Sequence, residues 1–137
     1  MAEAVIGVDL GGTNLRTALI SPAGEILAKQ KEASLASEGR QKVIARLVAN
    51  IGRQREHANR QGIEVSAVGV GAPGVILPGN GIVVASPNFP DWNNLPLRQE
   101  LEKELSLPVF IENDANAAAL GEQWRGAAKD VGSMIFL

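Results

Sequence analysis

The 137-residue chain contains no cysteine, so disulfides are excluded. It has a single histidine, His57, set in a basic stretch without a partner, and it reads as a solvent-facing helix residue. No apolar run approaches the ~20 residues that span a bilayer. The start, Met1-Ala-Glu-Ala, lacks the basic residues and long apolar stretch of a secretory signal. Neither sign of charge is in large excess: 13 Lys and Arg stand against 15 Asp and Glu, a net charge of −2. That balance offers nothing to draw nucleic acid or an anionic membrane, so neither is expected as a partner. What is there suits one folded domain with a real core, since 45% of residues are hydrophobic and 20% charged.

Apolar patterning sets the order of elements. Strands are predicted at about 4–10, 15–20 and 25–31, joined by Gly11-Gly12 and by Ser21-Pro-Ala-Gly24, which makes an antiparallel meander. A helix over 37–60 is predicted from Val43, Ile44, Leu47, Val48 and Ile51, which recur on one face. Val65 to Val70 reads as a fourth strand, and 75–84 as a hairpin turned at 78–81. Leu97, Leu101 and Leu105 repeat every four residues, a short amphipathic helix with Pro96 in its first turn. A strand at 108–112 and a helix at 114–125, stopped by Gly126, complete the order.

Two blocks carry chemistry. The first is Asp9-Leu-Gly-Gly-Thr-Asn14, between two apolar runs. Its glycines remove side chains where backbone must approach a phosphate, and the turn's N–H groups can form an anion-binding concavity to which Thr13 and Asn14 add polar contacts. Asp9, at the strand end, is placed to orient hydrated Mg²⁺, an ion that keeps several waters and takes few carboxylates. A plain glycine hairpin capped by Asp9 would read the same way. The second block is Glu112-Asn-Asp-Ala-Asn116. It puts Asn113 and Asp114 at a strand-to-helix junction, the end of a strand where open α/β sheets bind ligands. The helix dipole holds a carboxylate ionised there, ready to accept a proton; an N-cap asks for the same residue.

Three other features invite function. Gly69-x-Gly71-x-x-Gly74 fits the dinucleotide pattern, but Pro73 and the β-rich hairpin that follows oppose the helix that pattern must open. The helix at 37–60 carries Arg40, Lys42, Arg46, Arg53, Arg55 and Arg60, which reads as a solvated face. Phe89 and Trp92, in a Pro/Asn-rich loop, read as packing of that loop onto the domain ahead of an aromatic stacking platform for a ligand. Arg16 reads equally as a charge stabiliser beside the phosphate turn and as an exposed strand residue.

With these blocks in place the chain resembles the ROK sugar kinases (repressor, open reading frame, kinase), glucokinase-like members most of all. The resemblance rests on Asp9–Asn14, Gly69-Val-Gly-Ala-Pro-Gly74, Ser86-Pro-Asn-Phe-Pro-Asp-Trp92 and Glu112–Asn116, in the family's order and spacing. It implies an α/β, ribonuclease H-like lobe of the actin/hexokinase superfamily, a mixed sheet with a three-stranded meander and flanking helices. It implies Asp114 as the general base toward a sugar 6-hydroxyl, with Asn113, Gly74 and Asn88 lining the sugar site. Gly11, Gly12, Thr13 and Asn14 then hold ATP phosphate, with Asp9 toward Mg²⁺ through water. The substrates implied are ATP and a hexose, glucose first, in a cytoplasmic homo-oligomer.

The family runs to roughly twice this length. Residues 1–130 are therefore expected to form the N-terminal lobe, and 131–137 the start of the strand entering a second lobe, without which turnover is not expected. The family's structural zinc site uses a cysteine cluster, and those ligands are absent here. Its repressors carry a helix-turn-helix domain ahead of the phosphate turn, and with eight residues before Asp9 no such domain is expected. A sugar-binding sensor or repressor relative without turnover is the alternative.

Overall fold

A computed structural model describes residues 2–77 and 79–114. Strands β1 (Ala2–Leu10), β2 (Asn14–Ile20) and β3 (Ile26–Ala33) form the expected meander. Helix α1 (Arg40–Arg60) crosses to β4 (Ile63–Ala72), which pairs parallel to β1. A hairpin, β5 (Val75–Leu77) and β6 (Ile82–Ala85), leads to helix α2 (Leu97–Leu105) and to β7 (Val109–Asn113), parallel to β4. The main sheet has the order β3-β2-β1-β4-β7.

Period-two alternation decides which face is covered. Ala4, Ile6, Val8 and Leu10 of β1, and Leu15, Thr17 and Leu19 of β2, point to one side and are buried. Helix α1 meets that side with Val43, Leu47, Asn50, Ile51, Gln54 and Ala58, a stripe at helical spacing. A bulge between Ala4 and Val5 resets the β1–β4 register, so that Val65, Val68 and Val70 all face the same core. Two polar residues in the stripe are satisfied: Asn50 Nδ2 donates to Glu32 and to the Arg46 carbonyl, and Gln54 Nε2 donates to Thr17.

The structure departs from the sequence reading in three places. The helix expected over 37–60 is divided: Ala36–Glu38 form a 3₁₀ turn, Gly39 takes φ 98°, and α1 starts at Arg40. A left-handed backbone at Gly39 cannot continue a right-handed helix. Pro96 stands at the N-cap of α2, with ψ 69°, and not inside its first turn. The strand expected at 108–112 runs over 109–113, which places Asn113 within the sheet. Asp114 is helical, while the rest of the helix expected to 125 and the strand expected at 131–137 lie outside the described residues.

Candidate functional site

The β1–β2 turn is braced from beneath. Gly11 N–H donates to the Asn14 carbonyl at 2.9 Å, Ser34 N–H donates to the Thr13 carbonyl at 2.9 Å, and Ser34 Oγ donates to the Gly11 carbonyl at 2.6 Å. Ser34 is itself buried and is held by Arg46 of α1, whose guanidinium donates to its carbonyl at 3.0 Å. The turn's carbonyls are thus drawn inward. Among the described residues the Gly12 and Thr13 N–H groups donate to no protein acceptor, which is the donor arrangement an anion needs. Nothing in the sequence marked Ser34, which acts across 23 positions through its fold neighbours.

Asp9 is the penultimate residue of β1, on the open face of the sheet, and lies directly opposite Arg16 of β2. The two form an ion pair at 3.6 Å with more than half of each side chain exposed, a pairing worth about 0–1 kcal/mol. Arg16 is therefore an exposed strand residue that neutralises Asp9, one step along the sheet from the turn. Among the described residues no group of three or more His, Cys, Asp or Glu side chains could enclose a metal. A half-exposed carboxylate near the strand end, held only by a weak surface ion pair, suits Mg²⁺, which keeps its waters and takes the rest of its shell from phosphate. A groove of about 660 Å³ runs from Asp9 and Arg16 along β2 and β3 to Ile26 and Lys29. Its lining does not include Gly74, Asn88 or Asn113.

Those residues form a second wall at the same sheet edge. The parallel register aligns Asp9 with Gly71, and Ala72 with Asn113, so the carboxyl ends of β1, β4 and β7 lie side by side. Asn113 Nδ2 donates to the Gly74 carbonyl at 2.7 Å, fixing its side chain against the loop that follows β4. Gly74 has φ 108°, and a Cβ there would overlap the Ala85 carbonyl oxygen and lie 2.8 Å from Ser86 Cα. Only glycine lets the two backbones meet so closely. Asp114 follows Asn113, half-buried, at the first position past β7.

The two walls touch. A Cβ on Gly12 would lie 2.5 Å from Asn88 Nδ2 and 3.1 Å from Asn88 Cβ, so the Asn88 side chain occupies the space Gly12 leaves. Asp9, Gly11–Asn14, Gly74, Asn88, Asn113 and Asp114 thus gather at one edge of the sheet. Phe89 and Trp92 stack on each other, centroids 4.5 Å apart, and are fully buried. They pack the loop and present no ring face to a ligand. Ser86 Oγ and Trp92 Nε1 are buried without a hydrogen-bond partner in the described structure. The glycines at 69, 71 and 74 lead into β5 and not a helix, which removes the dinucleotide reading. His57 is exposed in the last turn of α1.

A meander extended by two parallel strands, with turns gathered at adjacent strand ends, is the actin/hexokinase fold, and it superposes on solved ROK kinases. The chain belongs to the ROK family, whose model matches residues 5–137. It is 47% identical over 125 residues to a glucokinase of Thermotoga maritima, covering 91% of this chain and 38% of that protein. It is 33% identical over 133 residues to a xylose repressor of Caldicellulosiruptor bescii, covering 97% and 33%. Among solved structures, a ROK glucokinase of Streptomyces griseus in complex with glucose and AMPPNP superposes with TM-score 0.79 at 35% identity, covering 90% of this chain and 37% of that one. The chain therefore spans a third to two-fifths of the length of these relatives.

Proposed function

We propose that residues 1–130 form the sugar- and phosphate-binding lobe of an ATP-dependent hexokinase-type kinase, with glucose as the expected sugar. The observation that carries the reading is the contact of Gly12 with Asn88, which sets a phosphate-type turn against the wall holding Asn113 and Asp114. A phosphoryl acceptor and donor need that adjacency, because phosphoryl transfer is mostly positioning and charge stabilisation. In this scheme Gly74, Asn88 and Asn113 orient the sugar, and Asp114 takes the proton of the 6-hydroxyl as that oxygen attacks the γ-phosphorus. The Gly12 and Thr13 N–H groups, with Asn14, hold phosphate oxygens. Asp9 would hold Mg²⁺ through water, and the ion would neutralise charge between the phosphates. Residues 131–137 would lead into a second lobe that closes on the first and excludes water.

The test is ADP release from MgATP over a hexose panel, using the full-length protein. Turnover is expected with glucose. Sugar binding with no ADP release for any hexose would move the reading to a sensor, the second reading that the xylose repressor relative favours. The brace under the turn gives a narrower expectation. Ser34→Ala removes one partly buried hydrogen bond, worth about 1 kcal/mol, so KM for ATP should rise about fivefold. KM for the hexose should change by less in the same steady-state assays.

A further inference from the structure

Helix α1 begins without a cap of its own. Gly39 at its N-cap has no side chain, and its first turn carries no acidic residue. The missing acceptor comes from a distant loop: Arg40 N–H donates to Asp91 Oδ2 at 2.6 Å, across 51 positions. Asp91 lies on the exposed outer side of the loop between β6 and α2, so no burial fixes it. Three residues earlier in the same loop, Asn88 lies against Gly12. Between these two points the chain is anchored in the core. Phe89 and Trp92 stack and are buried, and Trp92 N–H donates to the Phe89 carbonyl at 2.9 Å. An Arg40–Glu100 ion pair at 3.6 Å closes the circuit from α1 to α2, the helix that the loop enters.

We infer that Asp91 is a positioning residue for the sugar site: by capping α1 from the loop, it fixes the segment that presents Asn88. The inference rests on the sugar-site reading above. A serine or aspartate within the helix's own sequence would cap α1 equally well, but it would leave the loop untied. Here one hydrogen bond serves both purposes, so loosening it displaces Asn88 without touching the phosphate turn's own brace at Ser34.

The test uses the full-length protein and the hexose it binds best. Asp91→Ala should weaken the Kd for that sugar, measured calorimetrically without nucleotide, by about fivefold to tenfold, the size of one helix-cap contact. The kcat should stay within about twofold, a change too small to implicate a transition-state contact, and the KM for ATP should change by less than the sugar Kd, because the Gly12–Asn88 contact passes on only part of the displacement. Amide hydrogen exchange at Arg40 and Trp92 should quicken. Asp91→Asn keeps an acceptor oxygen and should bind sugar like the wild type. Asp91→Ser, a shorter side chain at the same exposed position, should shift affinity in the same direction as Asp91→Ala. A lower Tm with unchanged sugar Kd would reduce Asp91 to a helix cap and overturn the inference. Equal losses in Asp91→Asn and Asp91→Ala would also overturn it, since the charge and not the cap would then matter. Calorimetry reads binding with or without turnover. Failure of the kinase reading, seen as no ADP release by the wild type, is therefore distinct from failure of the tether.

Discussion

Asp114→Asn in the full-length protein should lower kcat by at least ~10²-fold, the contribution of a positioned general base, while leaving the hexose Kd within a few-fold of wild type. The amide matches the carboxylate in size and keeps one acceptor oxygen, but it cannot take the hydroxyl's proton. Asparagine and aspartate cap helices about equally well. If Asp114 serves only as the helix cap that the sequence also allows, the substitution should leave both kcat and Tm near wild type. Steady-state kinetics with glucose and a thermal melt on the same preparation separate the two roles. Near-normal kcat would remove Asp114 as the base.

The second large effect is expected at Gly74. Alanine there would sit at φ 108° with its Cβ overlapping the Ala85 carbonyl oxygen, a backbone atom with no rotamer to yield. Backbone strain of this kind costs about 1–3 kcal/mol before the overlap is counted. Relief requires the 73–75 and 85–86 backbones to separate, which carries the Gly74 carbonyl away from Asn113 Nδ2. Gly74→Ala should therefore weaken hexose binding by more than about tenfold, the equivalent of ~1.4 kcal/mol, and lower Tm. Gly69→Ala is the internal control, because a Cβ at Gly69 meets nothing within 4 Å. If both variants bind sugar alike, the close approach at Gly74 has no role in the site.

Much of this was legible in the sequence because it is local. Apolar runs flanking Gly11-Gly12, the repeat of Val43, Leu47 and Ile51, and the junction at Asn113-Asp114 each announce their element by period or by a turn residue. Both candidate blocks carry such signals, and their described residues lie at one sheet edge. What remained hidden acts across the fold. Ser34 braces a turn 23 positions away, and Asp91 caps a helix 51 positions away. No periodicity encodes a contact of that range. The β1–β4 register depends on a bulge between Ala4 and Val5, and alternation alone does not locate a bulge. Gly39 was visible as a residue. Helix-forming neighbours on both sides masked its φ of 98°, so the 3₁₀ turn and α1 read as one helix.

The contact of Gly12 with Asn88 means that the turn and the loop do not possess independent conformational freedom. A shift in either one changes the space left for the other. In the proposed kinase, each loop faces a different substrate, so occupancy at one biases the ensemble at the other. Such coupling is reciprocal: the factor by which nucleotide alters sugar affinity must equal the factor by which sugar alters nucleotide affinity. One missing methyl group at position 12 would then set how strongly two binding events are coupled.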